Sequence, residues 1–160
     1  MVIMIVGVLG VILTPQFNSL ISEGKLNGAA EQLMNGLEYA QNLAITHQRP
    51  FGLKAEVKAN MFRVFDNQYK ADPNPHHGSD PPVDAFGVVL NPLDKKWFER
   101  DFDTMNEFSG VKITSTPAGG EICFYPDGHT NAPDATYTLG YGEKQRSISV
   151  DGMTGQIAVQ

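Results

Sequence analysis

Three patterns of apolar and polar positions follow one another along the chain. From Met1 to Leu13 the residues MVIMIVGVLGVIL carry no charge and no polar side chain. From Ser19 to Gln48 the apolar positions take a helical period: Leu26, Ala30, Leu33, Leu37, Ala40 and Ala44 recur at spacings of three and four and form one stripe. Leu43 and Ile45 widen the stripe, and Glu23, Lys25, Glu31, Gln32, Glu38 and Gln41 occupy the opposite face. After Arg49 the period drops to two. In Phe51–Val57 the apolar Phe51, Leu53, Ala55 and Val57 alternate with Gly52, Lys54 and Glu56, which predicts a half-buried strand. A turn at Lys58–Asn60 and a second run, Met61–Phe65, complete a hairpin. Further strands are predicted at Phe86–Leu90, Val111–Thr114, Glu121–Tyr125, Thr136–Leu139, Arg146–Val150 and Gln156–Val159. Between the hairpin and Phe86, Asp72–Pro82 (DPNPHHGSDPP) reads as a mobile loop.

The fold class that follows is α+β: a long N-terminal helix packed on a C-terminal antiparallel sandwich or strongly bent sheet. Three regions are expected: an apolar tip over 1–18, an amphipathic stem over 19–48 and a β-rich head over 49–160. Pro15 removes one backbone hydrogen bond and predicts a kink or melt point; Pro50 stops the helix. Gly24, Gly28 and Gly36 each weaken it by about 1 kcal/mol relative to alanine, so they either permit close packing or mark bends.

The tip has a length problem. At about 1.5 Å per residue, Met1 to Thr14 covers roughly 20 Å, whereas a bilayer core is about 30 Å thick and needs about 20 apolar residues. A shortened membrane anchor, a secretory signal and a helix buried on all sides all remain open on this ground. The signal reading lacks a basic start and an A-x-A-like site after the apolar run.

Composition narrows the chemistry. The net charge is −6 and charged residues are 19% of the chain, so the surface repels nucleic acid and anionic lipid headgroups. Lys95, Lys96 and Arg100 cluster near Trp97, but Asp94, Glu99, Asp101 and Asp103 surround them, which makes a mixed-charge surface and not a nucleic-acid groove. The single cysteine, Cys123, excludes an intrachain disulfide and sits within an apolar strand, where it reads as a small core residue. His76 and His77 lie in the loop with Asp72 and Asp80, without the H-x-x-x-H or C-x-x-C spacing of a metal site. Asp72, Asn74 and Asp80 do not follow the order of a calcium loop. No catalytic constellation, metal site or cofactor is expected.

Two stretches carry a family resemblance. The segment V-I-M-I-V-G-V-L-G-V-I-L-T-P-Q-F, Val2–Phe17, resembles the N-terminus of type IV pilins and type II secretion pseudopilins, with Gly7, Pro15, Gln16 and Phe17 at matching places. I-C-F-Y-P-D-G, Ile122–Gly128, followed by S-I-S-V-D-G-M-T-G-Q-I, Ser147–Ile157, is similar to the C-terminal half of GspH/FimT-type minor pseudopilins. The stem pattern over Leu37–Leu53 fits the same family, with Gln41 where an Arg is usual. The family's processing motif, a Gly and then F-T-L-x-E, is absent; the resemblance places it before Met1, with the mature protein starting about seven residues upstream, which matches the deficit against a bilayer.

The resemblance implies a pilin-like fold and a non-catalytic subunit of a type II secretion pseudopilus or type IV pilus. It implies a single-pass inner-membrane protein with a periplasmic head in a Gram-negative envelope, processed and methylated by a prepilin peptidase. Its partners would be other pilins or pseudopilins of the same filament. Val2, Ile5, Val8, Leu9 and Ile12 would be the packing contacts in membrane or filament core, and Pro15 the helix melt point. Two other functions compete: a DNA-binding minor pilin for natural transformation, against which the acidic balance counts, and a membrane-anchored periplasmic enzyme, whose one foothold is the His76/His77 loop.

Overall fold

The computed structural model describes the backbone from Val2 and the side chains from Leu20 onward. One helix, α1 (Val2–His47), joins tip and stem. Eight strands follow: β1 (Phe51–Glu56), β2 (Met61–Asp66), β3 (Glu99–Asp101), β4 (Lys112–Ser115), β5 (Glu121–Phe124), β6 (Asp134–Tyr141), β7 (Lys144–Asp151) and β8 (Ile157–Val159). They form two four-stranded antiparallel sheets, in the orders β3-β2-β1-β5 and β4-β6-β7-β8.

The stem packs on both sheets through the expected stripe. Leu26, Ala30, Leu33, Leu37, Ala40, Leu43 and Ala44 are buried in one cluster with Phe51, Leu53, Phe62, Phe102, Tyr137, Leu139 and Ile148. Ile45 is a correction: it is 46% exposed, because it lies about 100° round the helix from buried Ala44 and so off the stripe. The stem glycines divide by what lies above them. A Cβ on Gly36 would sit 2.8 Å from the Phe62 ring and 3.0 Å from Leu53, and one on Gly28 would meet the Phe108 ring at 2.9 Å. These two let the helix lie close against the head, whereas a Cβ on Gly24 meets nothing within 4 Å. Gly24→Ala is therefore expected to raise stability by about 1 kcal/mol through helix propensity alone. Gly36→Ala is expected to lower it by about 1 kcal/mol or more, since overpacking outweighs the propensity gain. Thermal unfolding of the two variants gives shifts of opposite sign.

Several strand boundaries differ from the sequence reading. β1 ends at Glu56, and Val57 is exposed at the turn. Phe86–Leu90 is not a strand. Val88, Val89 and Leu90 make isolated bridges to Phe65, Val83 and Trp97, and Phe86 is exposed. Val88 and Val89 are buried by docking of a loop beside β2, through Val89 N–H to Val64 O (3.1 Å) and Phe98 N–H to Val89 O (2.8 Å). β3 comes from Glu-Arg-Asp, a sequence with no strand signal. The Pro-rich segment from Asp72 is pinned where a mobile loop was expected. His76 and Val83 exchange backbone hydrogen bonds, Ser79 Oγ donates to the carbonyls of His76 and Pro81, and Asp80–Pro81 is cis.

Candidate assembly surface

The expected site residues Val2, Ile5, Val8, Leu9 and Ile12, and the melt point Pro15, lie outside the residues whose side chains are described. What the structure does show is how the stem that carries them is fixed to the head. Among the described residues no helix is long and apolar enough to cross a membrane.

The stem is held along its whole described length by polar contacts that flank the apolar stripe. Near its beginning, Glu23 faces Lys144 (3.6 Å) and Arg146 (3.5 Å) of β7, and Arg146 Nε donates to Asn27 Oδ1 at 3.0 Å. Lys25 Nζ donates to Ser109 O and lies 5.9 Å from the Tyr141 ring centroid. Midway, Tyr39 stacks on Phe98 with ring centroids 5.2 Å apart. Gln41, the position where the family resemblance expects Arg, donates from Nε2 to Gly155 O (3.1 Å) in the β7–β8 turn. Gly155 is required there, because its φ is +68° and a Cβ would fall 2.3 Å from Gly128 O. Exposed ion pairs such as those of Glu23 are each worth at most about 1 kcal/mol; the buried stripe supplies most of the adhesion and the polar contacts fix its register.

Beyond the stem, Arg49 closes the junction. Its guanidinium contacts Asp66 Oδ2 at 2.7 Å, donates to Asp80 O at 2.9 Å and lies over the Phe51 ring at 5.3 Å. Asp66 is fully buried at the end of β2, and its other oxygen accepts the Gln68 N–H. At the far end of that hairpin, buried Asn60 joins the two sheets. Its amide donates to Asp103 Oδ1 (2.7 Å) and Val111 O (2.9 Å), and its carbonyl accepts the Ile113 N–H (2.8 Å). Neither Arg49 nor Asn60 stands out in the sequence, since their partners lie 17 to 53 residues away.

The reverse end of the stem is different. Leu20 and Ile21 are 66% and 57% exposed, so the helix leaves the head with apolar side chains uncovered on its way back to the tip. An apolar cleft of about 460 Å³ runs between the stem and the segment before β3, lined by Gln32, Asn35, Tyr39, Leu93, Phe98 and Arg100, with Leu93 almost wholly in solvent.

The side chains that could carry chemistry are dispersed. His76 bonds Asp72 (2.9 Å) and packs on Tyr69, while His77 faces Trp97. His129 stacks on Tyr125 and pairs with Asp127. Among the described residues no three His, Cys, Asp or Glu side chains converge as a metal site requires. Burial pushes the Cys123 thiol up to about 12, so it is a poor nucleophile. Alkylation of the native chain at pH 8 is expected to run more than about 100-fold slower than after unfolding in urea; equal rates would place the thiol at the surface.

Hydrogen bonds to four aspartates at the surface, Asp72 among them half-buried, lower their pKa values. Asp103 is held down by Lys112 and then by Asn60, Asp72 by the Asn74 N–H and then His76, Asp127 by His129, and Asp151 by the Thr154 N–H and hydroxyl. A carboxyl with a lower pKa in the folded state contributes stability above its unfolded value of about 3.9, and that contribution is lost as pH falls through the folded value. Stability should therefore be level from neutrality to about pH 4 and fall below it. Chemical denaturation across pH 2 to 7 gives the curve; a decline beginning near pH 6 would contradict it.

Comparison with known proteins bears on this arrangement. The family model described as Type II transport protein GspH matches residues 29–154, which spans most of the stem and nearly all of the head. No curated protein matches the chain in sequence. In fold it is similar to the crystal structure of the type IV minor pilin FimU of Pseudomonas aeruginosa, with a TM-score of 0.56, 18% identity, and 86% of this chain and 90% of that one covered. It is likewise similar to the minor pseudopilin EpsH from the type 2 secretion system of Vibrio cholerae, with a TM-score of 0.55, 12% identity, and 85% and 96% covered. The fold is thus pilin-like α+β.

Proposed function

The chain belongs to the GspH family of type II transport proteins, and from that membership we propose that it is a non-catalytic structural subunit of a pseudopilus or pilus, assembled by packing of its N-terminal apolar helix. The observation that carries this reading is the fixed stem. A helix whose stripe is built into the head's core, whose register is set by Glu23, Gln41 and their partners, and whose start is exposed at Leu20 and Ile21 gives the head a fixed attachment to the stem through which the apolar segment joins it. That is the requirement for a subunit whose head must take a set place in a filament when its tip packs.

In this account the tip rests in the inner membrane of a Gram-negative envelope with the head in the periplasm, and a prepilin peptidase processes the precursor. Val2, Ile5, Val8, Leu9 and Ile12 then exchange lipid for the apolar helices of other pilins or pseudopilins. Apolar surface stays covered throughout, so close packing and not hydrophobic transfer drives that step. Pro15, which lacks a backbone N–H, softens the helix and lets it fit its neighbours.

The DNA-binding alternative has little support in the surface charges. Arg49, Arg63, Lys70, Arg100, Lys112 and Arg146 each face a carboxylate of the same chain. A gel shift at low salt tests it directly, and retarded duplex would favour that reading. For the filament reading, a photo-crosslinking amino acid placed at Ile12 in cells should yield adducts with the tips of other pilin-like proteins. Adducts with lipid alone would overturn it.

A further inference from the structure

The two sheet orders leave β3, β5, β4 and β8 as edges. An edge strand with free N–H and C=O groups is a template for another strand unless something blocks it. Blocking groups are present on three of the four. On β3, Glu99 O accepts the Arg100 guanidinium (2.9 Å) and Asp101 O accepts the Thr104 N–H (3.2 Å). On β5, Cys123 N–H donates to Asn131 Oδ1 (2.8 Å) and Cys123 O accepts the Asn131 N–H (3.0 Å). On β4, the Asn60 amide takes Val111 O and the Ile113 N–H together, as a neighbouring strand would.

β8 differs. Gln160 exchanges both backbone bonds with Ser147, and Gln156 O accepts the Asp151 N–H, so alternate residues turn inward to β7. The N–H and C=O groups of Ile157 and Val159 point away from β7 and have no hydrogen-bond partner among the described residues. The strand also lacks the charges that guard the other edges, Glu99 and Asp101 on β3, Lys112 on β4 and Glu121 on β5.

We propose that β8 is a self-association edge, through which two copies of this chain pair antiparallel over Gln156–Gln160 about a two-fold axis at Ala158. The occupant is a second copy because the segment, Gln-Ile-Ala-Val-Gln, reads almost the same in both directions. Antiparallel pairing sets Gln156 against Gln160, Ile157 against Val159 and Ala158 against itself. Every facing pair is amide with amide or apolar with apolar, and no like charges meet. The Ile157 and Val159 of opposite copies exchange their outward backbone bonds, and the two four-stranded sheets become one continuous sheet. Pairing also covers Val159, which is 44% exposed although it lies on the same sheet face as buried Ile148 and Val150. An isologous contact closes on itself, so it makes pairs and not chains. The inference does not depend on the filament reading, since it involves the head alone. With a net charge of −6 on each copy, the pairs should strengthen as salt screens the repulsion.

The test uses the full chain in detergent, with a cysteine at the proposed axis. Facing residues that do not exchange hydrogen bonds have Cα atoms about 4.5 Å apart, within disulfide reach, and native Cys123 is buried and does not compete. Ala158→Cys should form a covalent dimer under mild oxidation at least tenfold faster than Asn42→Cys, an exposed stem position that controls for contacts made by the tip. Adding Val159→Pro removes an N–H that makes no bond within the chain and fixes the local φ, and should suppress that dimer at least tenfold with a melting temperature within about 2 °C of the Ala158→Cys parent. Val159→Lys, which sets a charge on the edge without constraining the backbone, should do the same. Ala158→Cys crosslinking no faster than the control, or crosslinking that survives both Val159 substitutions, would overturn the proposal.

Discussion

Asn60→Ala is expected to destabilise the head by about 4 kcal/mol, the sum of two buried backbone groups left unpaired and a left-handed backbone position given to a residue that disfavours it. Asn60 is 2% exposed, has φ of 52°, and its amide spans Val111 O and the Ile113 N–H, both of buried residues. With alanine those groups lose their partner and water cannot reach them. Each such group costs about 1 to 3 kcal/mol. Asn60→Gly separates the two causes, because it relieves the backbone but not the hydrogen bonds; it should recover about 1 kcal/mol of the loss. Asn60→Asp keeps the acceptor for Ile113 N–H but puts a carboxylate where the amide donates to Asp103, so it should also be strongly destabilising. Urea denaturation of the set gives the ranking. A loss under about 1 kcal/mol for Asn60→Ala would mean that the two sheets are held together without this bridge.

Arg49→Ala is expected to cost about 3 kcal/mol. Asp66 has no exposed side-chain surface and its Oδ2 is met by Arg49 Nη2 at 2.7 Å and Nε at 3.0 Å. Removing the guanidinium leaves a buried carboxylate with only the Gln68 N–H. Breaking a buried pair from one side costs about 3 to 5 kcal/mol; the low end applies because a quarter of the Arg49 side chain is in water. Adding Asp66→Asn to Arg49→Ala should restore part of the loss, since a neutral amide is cheaper to bury and still accepts from Gln68. The substitution also frees Asp80 O, so protease cutting within Asp72–Asp84 should rise. If the double variant were no more stable than Arg49→Ala, the cost would come from lost ring packing on Phe51 and Tyr69 and not from the stranded charge.

The stem was legible because burial on one side imposes a helical period, and Leu26 to Ala44 keep it without a break. The β1–β2 hairpin was legible for the matching reason, a period of two on each side of a short turn. β3 was not, because Glu99, Arg100 and Asp101 show no alternation; the strand is defined by its backbone pairing with Met61–Arg63 of β2, a long-range contact. Val88 and Val89 carry the opposite lesson. Their apolar run is buried by a loop that docks on β2, and a periodicity argument cannot tell that from a strand. Gly24, Gly28 and Gly36 look alike in sequence, and only the rings of Phe62 and Phe108 separate a packing glycine from an idle one. The family features at both ends of the chain carried the functional reading further than any single side chain did, since the groups that fix stem to head, Gln41 with Gly155 and Arg49 with Asp66, are long-range pairs.

The central claim is that the apolar helix carries the head into a filament. The direct measurement is the amount of the protein in sheared filaments from cells that make the whole assembly system, compared between the natural chain and Ile5→Asp. A charge at the bilayer or filament centre costs about 3 kcal/mol or more, so the account predicts the natural chain in the filament fraction and at least a tenfold loss for Ile5→Asp, with the head still folded. Equal amounts of the two in the filaments, or absence of the natural chain from them, would contradict it.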